Sequence, residues 1–590
     1  MKRRKLFANL TLAAFIAVAS APQNIQAAIS DPKSSAIRTT PPAPRFSDAE
    51  RQTELAKRRQ QVAERMGKNS MLILFSAEPR IYTNDVDYVF RQENNLYYLT
   101  MLKQQGATLV LLPGNGGVTE FLFLPRRNPQ REAWDGKMYS VAEAQQISGV
   151  KNVFLNDEFK KFLDAVKSKQ PFVSASGATI APAATENLYL LLPGGEMDAN
   201  GMREFRQEHN FAKELQTAQA YKVQNAQTIF ADLRHLKSPY ELKILQHAID
   251  ISTEAHMRAM ATGGRAKMEY EVQAEIEYIF RKRNADFWGY PSIVGCGPNA
   301  TTLHYNESQS AVRPGELLLM DVGAEYEHYT ADITRTFPIS GKFSKEQAEI
   351  YQIVYDSQEA VGRATKPGAT FQELSKASEE VIKNGLARLG LIQAPNATLK
   401  IPLPNGQTRE VPQFRLWAIH GLGHWLGMNV HDVGDYGKPL AAGMVFTNEP
   451  GIYIRADALD YLPETPETKE FLTKIRPVYE RYKNIGVRIE DDLLVTASGV
   501  EWMTKNLPRK IDEVESFIAR ASKEIPATAI NRNSLPKTKV FFDANANLFG
   551  TENQSLLFDF ESKPQGKTVR SGFSFVGTAQ NYAERGHSHD

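Results

Sequence analysis

The chain has 590 residues, of which 42% are hydrophobic and 23% are charged, as is ordinary for a globular protein with an apolar core. This length exceeds what one core usually organises, so at least two domains are expected. The formal net charge is only +2, which gives no indication of a nucleic-acid partner, and we expect none.

Residues 1–27 have the pattern of a secretory signal peptide. A basic start, KRRK, precedes an apolar run and small residues at Ala27 and Ala28, where a signal peptidase could cut. The run is short for a membrane span and is interrupted by Asn9 and Thr11, so cleavage is favoured over an uncleaved anchor. We therefore expect an exported protein, periplasmic or secreted, with no membrane segment once processed.

Residues 28–45 are rich in Pro, Ser and Thr, which predicts an extended linker. Over residues 46–220, a polar helix at about 48–66 precedes strand-like runs such as SMLILFSA and ATLVLLPG, which alternate with helix-like runs such as VAEAQQIS. This alternation predicts a first α/β domain with its own sheet.

A second domain is predicted over residues 221–522. Ser238, Pro239 and Glu241 form a capping box that opens a long amphipathic helix. Later helical stretches alternate with the strand-like runs ELLLMDVGAEYEH, YTADITRTFPI, GMVFTNEPGIYI and IGVRIEDDLLVT. The predicted fold class is therefore α/β, with a long antiparallel (α+β) component in the second domain.

Two parts of the chain are expected to carry no chemistry. Cys296 is the only cysteine, so an internal disulfide is excluded, and its setting VGCGPN favours a small packed residue over a catalytic thiol. Residues 523–590 form a polar C-terminal extension, which is predicted to be a disordered tail or a small added element.

Two acidic residues, Asp321 and Asp332, stand at strand positions that usually hold apolar side chains. If the chain turns near Tyr326 and Glu327, the two aspartates face each other across a hairpin. Burying two carboxylates without a counter-ion costs on the order of several kcal/mol. Either one of them points to solvent, or a divalent cation lies between them.

Two further acids occupy similar positions. Glu449 ends a strand in TNEPGIY, and period-two alternation places Arg488 and Glu490 on one face of GVRIEDDLLVT. Each acid alone is weak evidence, because most Asp and Glu side chains are solvated surface groups. Four acids at strand positions, with a histidine cluster between them, indicate a metal site more strongly.

The histidine cluster HGLGHWLGMNVHDVG contains His420, His424 and His431. The first two have the i, i+4 spacing of the HExxH zinc helix, but two glycines and no glutamate lie between them. Each glycine disfavours a helix by about 1 kcal/mol relative to alanine. A helix is therefore poorly supported here, and the zinc-helix class of protease does not fit.

The acids and His424 stand in the order and local contexts of the pita-bread metallopeptidases. The motifs DVGAEYEHYTADITRTF, HGLGHWLG, NEPGIY and RIEDD most resemble those of the Xaa-Pro aminopeptidases (aminopeptidase P), with prolidase as a near relative. The run YVFRQENNLYYLT at 88–100 resembles the N-terminal domain of the same family, and the resemblance covers about residues 45–520.

The resemblance implies a dinuclear metal centre. Asp321 and Asp332 would bind one ion, His424 and Glu449 the other, and Asp332 and Glu490 would bridge both. The charge of four carboxylates equals that of two divalent ions with opposite sign. The oxygen-rich donor set favours Mn²⁺, with Co²⁺ or Zn²⁺ compatible with the same geometry.

Further roles follow from the resemblance alone. His304, in TTLHYNES, and His431 would line the substrate pocket, with His431 a candidate to stabilise the tetrahedral intermediate. His420 would lie beside the metals or in the pocket, and Arg488 would orient nearby carboxylates. Taken alone, each histidine fits a hydrogen-bonded structural role equally well.

The function implied is a metal-dependent aminopeptidase that releases an N-terminal residue preceding proline. Its partners would be peptides with proline in the second position, and a homo-oligomer is expected. One alternative is a prolidase restricted to Xaa-Pro dipeptides. Another is a pita-bread fold kept as a non-catalytic binding module, which is disfavoured because all five candidate ligands are present.

Overall fold

The computed structural model describes residues 35–168, 170–177, 179–180, 185–193, 204–217, 221–403, 405–525, 558–562 and 569–573. These residues fall into two units, one ending at Ile525 and one after it. The predicted signal peptide lies outside the described residues. Within the described ranges, no helix is long and apolar enough to cross a membrane.

The helices of the first unit are numbered in chain order. They are α1 (Asp48–Met66), α2 (Asn94–Thr100), α3 (Pro129–Asp135), α4 (Val141–Ser148), α5 (Phe159–Ser168), α6 (Arg206–Thr217), α7 (Gln227–His235), α8 (Pro239–Thr262), α9 (Glu269–Lys282), α10 (Lys345–Ala364), α11 (Phe371–Leu389), α12 (Pro466–Tyr482) and α13 (Ile511–Ala521). Short 3₁₀ helices cover Asn156–Glu158, Gly263–Arg265, Gly297–Thr301 and Gln413–Leu416.

The strands are numbered in the same way. They are β1 (Ser70–Phe75), β2 (Ile81–Thr83), β3 (Val86–Asp87), β4 (Thr108–Gly114), β5 (Gly117–Leu124), β6 (Asn152–Leu155), β7 (Phe172–Val173), β8 (Thr179–Ile180), β9 (Asn187–Leu190), β10 (Lys222–Asn225), β11 (Phe287–Trp288), β12 (Ile293–Cys296), β13 (Leu317–Asp321), β14 (Ala324–Tyr326), β15 (Tyr329–Thr330), β16 (Thr334–Pro338), β17 (Thr398–Pro402), β18 (Thr408–Pro412), β19 (Val445–Asn448), β20 (Gly451–Tyr453), β21 (Gly486–Arg488), β22 (Asp491–Thr496), β23 (Gly499–Trp502), β24 (Phe558–Ser562) and β25 (Val569–Phe573).

The first domain is built on a six-stranded mixed sheet in the order β10-β9-β1-β4-β5-β6. Its central strand β1 is buried on both faces, because Ile73 packs in one apolar cluster with Phe162 of α5 and Leu72 packs in another. The predicted helix at 48–66 is confirmed, and Ser47 and Glu50 form its capping box. The predicted α/β character of this domain is confirmed.

The two domains share one apolar cluster. Leu72 and Leu109 of the first sheet belong to the same cluster as Leu245 and Ile249 of α8 and Met320 of β13. Helix α8 opens on the capping box predicted from the sequence. Because this apolar cluster is continuous, the first domain is packed against the half of the chain that carries the candidate metal ligands.

Small antiparallel sheets hold or flank the candidate ligands: Asp321 ends β13, and Asp332, Glu449 and Glu490 lie in the links beside strands. These sheets have the orders β12-β13-β16, β11-β14-β15, β19-β22-β23 and β20-β21. The strand-like runs predicted for this half are therefore confirmed, and the fold is a mixed α/β one whose second domain has the expected antiparallel component.

The predicted pairing of the two aspartates is wrong by two residues. The turn is at Glu327 and His328, both with positive φ, and Asp321 pairs with Thr334. Asp332 lies between β15 and β16 and does not stand directly opposite Asp321. Because side chains alternate with period two, a shift of two residues keeps both aspartates on the same face of the sheet.

The segments outside these domains are partly described. Residues 35–45 of the predicted linker have no helix or strand, and Thr40 contacts α8, where Glu254 accepts hydrogen bonds from Thr40 N at 2.7 Å and Thr40 Oγ1 at 2.5 Å. In the second unit, β24 and β25 form an antiparallel hairpin. Most of the predicted C-terminal extension lies outside the described residues.

Candidate metal centre

The two aspartates meet at one hydroxyl group. Asp321 ends β13, Asp332 follows β15, and the hydroxyl oxygen of Tyr290 lies 2.5 Å from Oδ1 of each carboxyl. Asp321 is 8% exposed and Asp332 is 4% exposed, so neither points into solvent. The solvent-facing alternative considered from the sequence is therefore wrong.

His424 lies between two acids. Its Nε2 is 3.3 Å from Oδ2 of Asp332 and 3.3 Å from Oε1 of Glu449. The main chain holds it there, because Thr447 Oγ1 accepts from His424 N at 2.9 Å and Thr447 N donates to His424 O at 2.9 Å. The histidine is thereby fixed to the strand that leads to Glu449.

Glu490 completes the group from the short link between β21 and β22. Its Oε2 accepts a hydrogen bond from Thr334 Oγ1 at 2.6 Å, and its main-chain N donates to Thr334 O at 3.1 Å. One ligand atom each of Asp332, His424 and Glu490 lies within 4.8 Å of the others, which is close enough to hold a single ion.

Burial and the charges of neighbouring carboxylates raise the pKa values of the carboxyl groups in this site. Burial, and then the charge of Asp321, raise the pKa of Asp332. Burial raises the pKa of Glu449 to about 7, and it raises that of Glu490 well above its usual range, with Asp332 adding to the effect. Although burial opposes it, the hydrogen bond that His424 donates to Asp332 raises the pKa of His424 to about 9.

The donor set fits a divalent cation. Four carboxyl groups and one imidazole converge in a buried site, and a cation among them would stabilise the ionised carboxylates that burial and mutual repulsion now disfavour. Oxygen-rich sets of this kind suit hard or borderline divalent ions. The expected charge balance between four carboxylates and two divalent ions does not include Arg488. Its guanidinium adds a positive charge to the site, with Nη2 2.5 Å from Asp321 Oδ2.

The four predicted pocket residues line one cavity with the candidate ligands. This cavity, of about 220 Å³, is bordered by His304, His420, His431 and Arg488. Asp321, His424 and Glu449 border the same space. A molecule that enters it therefore meets the candidate metal ligands and three histidines at once.

His420 belongs to a hydrogen-bonded chain behind the ligands. Its Nδ1 is 2.8 Å from Gly421 O, which can only accept, so Nδ1 carries the proton and Nε2 accepts from Tyr453 OH at 2.8 Å. Arg488 Nη1 donates to the same hydroxyl at 2.9 Å. Burial and the charge of Arg488 lower the pKa of His420 to about 4, so the ring is neutral near pH 7.

His431 lies on the open side of the site. Its ring packs edge to face against that of His424 with centroids 4.2 Å apart, and the side chain is exposed toward the cavity. Partial burial and the neighbouring His424 lower the pKa of His431. A neutral imidazole here has one N–H to donate and reaches solvent or substrate directly.

The histidine segment is not helical, as its glycines indicated. Gly423 is needed for close approach, because a Cβ atom there would lie 2.1 Å from Thr447 O. This contact places His424 directly over β19. The i, i+4 spacing of His420 and His424 therefore reflects a loop, and the two rings serve different partners.

Several residues of the site were not found from the sequence. Tyr290, Thr334, Thr447 and Tyr453 all hydrogen bond to candidate ligands or to their neighbours. Thr334, Thr447 and Tyr453 stand in the motifs DVGAEYEHYTADITRTF and TNEPGIY, where only the acids drew attention, whereas Tyr290 carried no signal. Cys296 is buried at the end of β12, and burial raises the pKa of its thiol to about 12, so the packed role expected for it is confirmed.

Comparison with known proteins gives two family matches. The family model for the aminopeptidase P N-terminal domain matches residues 55–173, and that for metallopeptidase family M24 matches residues 243–497. The chain is 34% identical over 475 residues to the Xaa-Pro aminopeptidase of Haemophilus influenzae, which covers 79% of this chain and 97% of that protein.

Two matches to Escherichia coli proteins agree with these. Its Xaa-Pro aminopeptidase is 32% identical over 484 residues, covering 81% of this chain and 100% of that protein. The structure of its aminopeptidase P with the inhibitor Pro-Leu has a TM-score of 0.65 and 30% identity, and covers 81% of this chain and 100% of that one.

These matches span both domains, and they place relatives of known fold over the whole candidate site. They leave no support for the alternative of a non-catalytic binding module, because the matched family consists of metallopeptidases. The chain belongs to metallopeptidase family M24, within which it is a metallo-aminopeptidase of the aminopeptidase P type.

Proposed function

We propose that this protein is a dinuclear Xaa-Pro aminopeptidase, which cleaves the bond between an N-terminal residue and a following proline. The observation that carries the proposal is that Asp321, His424 and Glu449 border one cavity, while Asp332 and Glu490 lie within 4.8 Å of His424, measured between ligand atoms. Relatives named Xaa-Pro aminopeptidase support the substrate class.

The five candidates would hold two divalent ions, with Mn²⁺ preferred for the oxygen-rich donor set. When bound, such ions supply Lewis-acid activation of the attacked carbonyl and of water. Arg488 and Tyr290 hold Asp321 by hydrogen bonds at 2.5 Å each, which fixes the orientation of a ligand before substrate arrives. Asp332 is held from the same tyrosine hydroxyl.

The histidines that border the cavity would serve the substrate. A neutral His431 can donate its N–H to the oxyanion that develops at the attacked carbonyl, and His304 borders the same space. His420 accepts from Tyr453 and is committed to that hydrogen bond. We therefore assign oxyanion stabilisation to His431 and a pocket-lining role to His420.

The site can accept proline because it does not require a substrate N–H at the cleaved bond. An Xaa-Pro bond has no N–H, so proteases that bind that donor act on it poorly. Leu303, Gly421 and Gly423 border the cavity beside the histidines, and we place the proline ring against them. The site holds its reacting groups by side chains and metal ligands, none of which needs a substrate N–H at that bond.

A peptide-length series tests the proposal against the prolidase alternative. The purified protein, loaded with Mn²⁺, is given Xaa-Pro dipeptides, Xaa-Pro tripeptides and longer Xaa-Pro peptides, with Xaa-Ala peptides of equal length as controls. Release of the first residue from the tripeptides and longer peptides is expected. Cleavage of dipeptides alone would favour prolidase, and equal cleavage of Xaa-Ala peptides would refute proline specificity.

Three properties accompany this proposal. We propose Mn²⁺ as the bound metal, export by the predicted signal peptide, and a homo-oligomeric enzyme. Metal analysis of purified protein should find two ions per chain, with Co²⁺ or Zn²⁺ the next candidates. Cell fractionation should recover the processed protein outside the cytoplasm, and light scattering should give a mass above that of one chain.

A further inference from the structure

One short segment of the first domain is hydrogen bonded to the loop that carries His431. The segment is residues 91–95, RQENN, and the loop is residues 428–432, MNVHD. Arg91 Nη2 donates to Met428 O at 2.8 Å, and Asn94 Nδ2 donates to Asn429 Oδ1 at 2.8 Å. The first domain thus reaches the main chain and a side chain of the histidine loop.

A third link runs through a buried arginine. Arg234 of α7 donates to Asn95 Oδ1 at 2.9 Å and to Asp432 Oδ1 at 2.5 Å, while Lys237 Nζ lies 3.5 Å from Asp432 Oδ2. The side chains of Arg234 and Asp432 are only 3% and 1% exposed. Asp432 directly follows His431, so this buried pair fixes the main chain at the histidine.

Arg91 joins the segment to the sheet behind the aspartates as well. Its Nε lies 2.8 and 3.0 Å from the two carboxyl oxygens of Glu325 in β14, and its Nη1 donates to Asn94 Oδ1 at 2.9 Å. With Tyr290 and His431 it also borders a second cavity of about 350 Å³. All three guanidinium nitrogens thus donate hydrogen bonds, to the first domain, to the sheet and to the histidine loop.

We propose that Arg91, Asn94 and Asn95 of the first domain are positioning residues for His431, so that the first domain influences the rate of bond cleavage from outside the metal centre. The inference rests on the proposed function, in which His431 stabilises the oxyanion. A loop displaced by about 1 Å can cost on the order of a hundredfold in rate, so loss of one link should be visible in turnover.

The decisive variant is Asn94→Ala, because Asn94 does not border either cavity. The expected result is a kcat lowered about 10- to 100-fold on an Xaa-Pro tripeptide, with little change in KM and with the native number of bound metal ions. Combined with His431→Ala, it should lower kcat no further than His431→Ala alone, because both act through one residue. Full additivity of the two losses would overturn the proposal.

A matched control separates positioning from simple domain docking. Lys103 of the first domain lies 3.0 Å from Asp286 of the catalytic half, but this ion pair does not contact the histidine loop. Lys103→Ala should leave kcat unchanged. An equal loss of kcat in Lys103→Ala and Asn94→Ala would show that only the docking of the two domains matters, and would refute the positioning role.

Hydrogen exchange gives a readout that does not depend on the substrate. Asn94→Ala should speed amide exchange over residues 427–433 while leaving other core peptides as in the native protein, and Lys103→Ala should not. If the native enzyme fails to cleave Xaa-Pro peptides, the proposed function fails. Faster exchange confined to this loop in Asn94→Ala would still show that the first-domain segment holds the histidine loop in place. Unchanged exchange in Asn94→Ala would refute it.

Discussion

Arg488 and Asp321 form a buried ion pair at the candidate metal centre, with Nη2 of the guanidinium 2.5 Å from Oδ2 of the carboxyl. The same guanidinium donates to Thr334 Oγ1 at 3.0 Å and to Tyr453 OH at 2.9 Å. One planar side chain thus connects the candidate ligand Asp321 to Thr334 and Tyr453. Thr334 donates to Glu490, and Tyr453 donates to His420.

Arg488→Lys should therefore damage both stability and activity. A lysine can keep the charge but cannot satisfy three partners in one plane, so at least one buried partner is left unsatisfied. We expect a loss of about 2 to 4 kcal/mol in the free energy of unfolding, measured in urea, and a clear fall in kcat. Arg455→Lys, in an exposed pair with Asp457, is the control and should change neither quantity.

Asp332→Asn and Glu490→Gln should abolish hydrolysis while leaving the fold formed. Both carboxyls are buried, and burial is the largest cause that raises their pKa values. Without metal, the ionised form of either carboxyl is therefore disfavoured, and a neutral amide in its place avoids this unfavourable charge. Metal content by mass spectrometry should fall. The metal-depleted variants should be at least as stable as the native chain that has also been depleted of metal. Near-native activity after reloading with Mn²⁺ would contradict the dinuclear assignment.

His431→Ala and His424→Ala should impair different properties of the enzyme, namely turnover and metal binding. His424 Nε2 lies 3.3 Å from two candidate ligands, whereas His431 contacts the site through the ring of His424. His431→Ala should lower kcat with metal content intact, and His424→Ala should lower metal content itself. A loss of metal in His431→Ala would mean that the two roles are reversed.

The sequence predicted the fold class, most helices and the identity of the acids, because these leave local patterns. Capping boxes, periodicity and acids at strand positions are visible without a structure. The pairing of Asp321 was wrong, since the turn at Glu327 and His328 uses two residues with positive φ that are not glycine, and such a turn has no clear sequence signature.

Contacts between distant segments could not be predicted. Tyr290 contacts two aspartates that are 31 and 42 residues away in the chain, and Arg91 reaches Met428 across more than three hundred residues. Nothing in WGYPS or in RQENN distinguishes these side chains from surface groups. Their roles depend on how the two domains pack, which is set by an apolar cluster that spans both.

Two glycines of the histidine loop provide a matched pair for testing its geometry. A Cβ atom at Gly423 would lie 2.1 Å from Thr447 O, whereas a Cβ atom at Gly421 meets no heavy atom within 4 Å. Gly423→Ala should therefore displace His424 from β19 and weaken metal binding. Titration with Mn²⁺ should show a higher dissociation constant for Gly423→Ala and an unchanged one for Gly421→Ala.

If both alanine variants bind Mn²⁺ with the dissociation constant of the native protein, the loop can move without cost. The close approach of Gly423 to β19 then does not hold the ligand. A loss in both would point instead to the lost flexibility of glycine. The comparison is informative because the two positions share the same loop and flank the same apolar residue, Leu422.

The first domain should show a dependence of stability on pH that the metal centre does not cause. Glu208 of α6 is 3% exposed, and its Oε2 has no hydrogen-bond partner among the described residues. Burial raises the pKa of its carboxyl from 4.5 to about 8, and the nearby Glu93 adds to the effect. The folded state therefore keeps this proton at pH values where the unfolded chain has lost it.

Between about pH 4.5 and 8 the folded state binds more protons at Glu208 than the unfolded state does, so the free energy of unfolding falls as pH rises. Glu208→Gln removes this group and should gain stability relative to the native chain, by about 1.4 kcal/mol or more between pH 5 and pH 9. Urea unfolding at both pH values measures the difference. Glu214→Gln, exposed on the same helix, should show none, and a flat difference for Glu208→Gln would mean that its carboxyl is solvated.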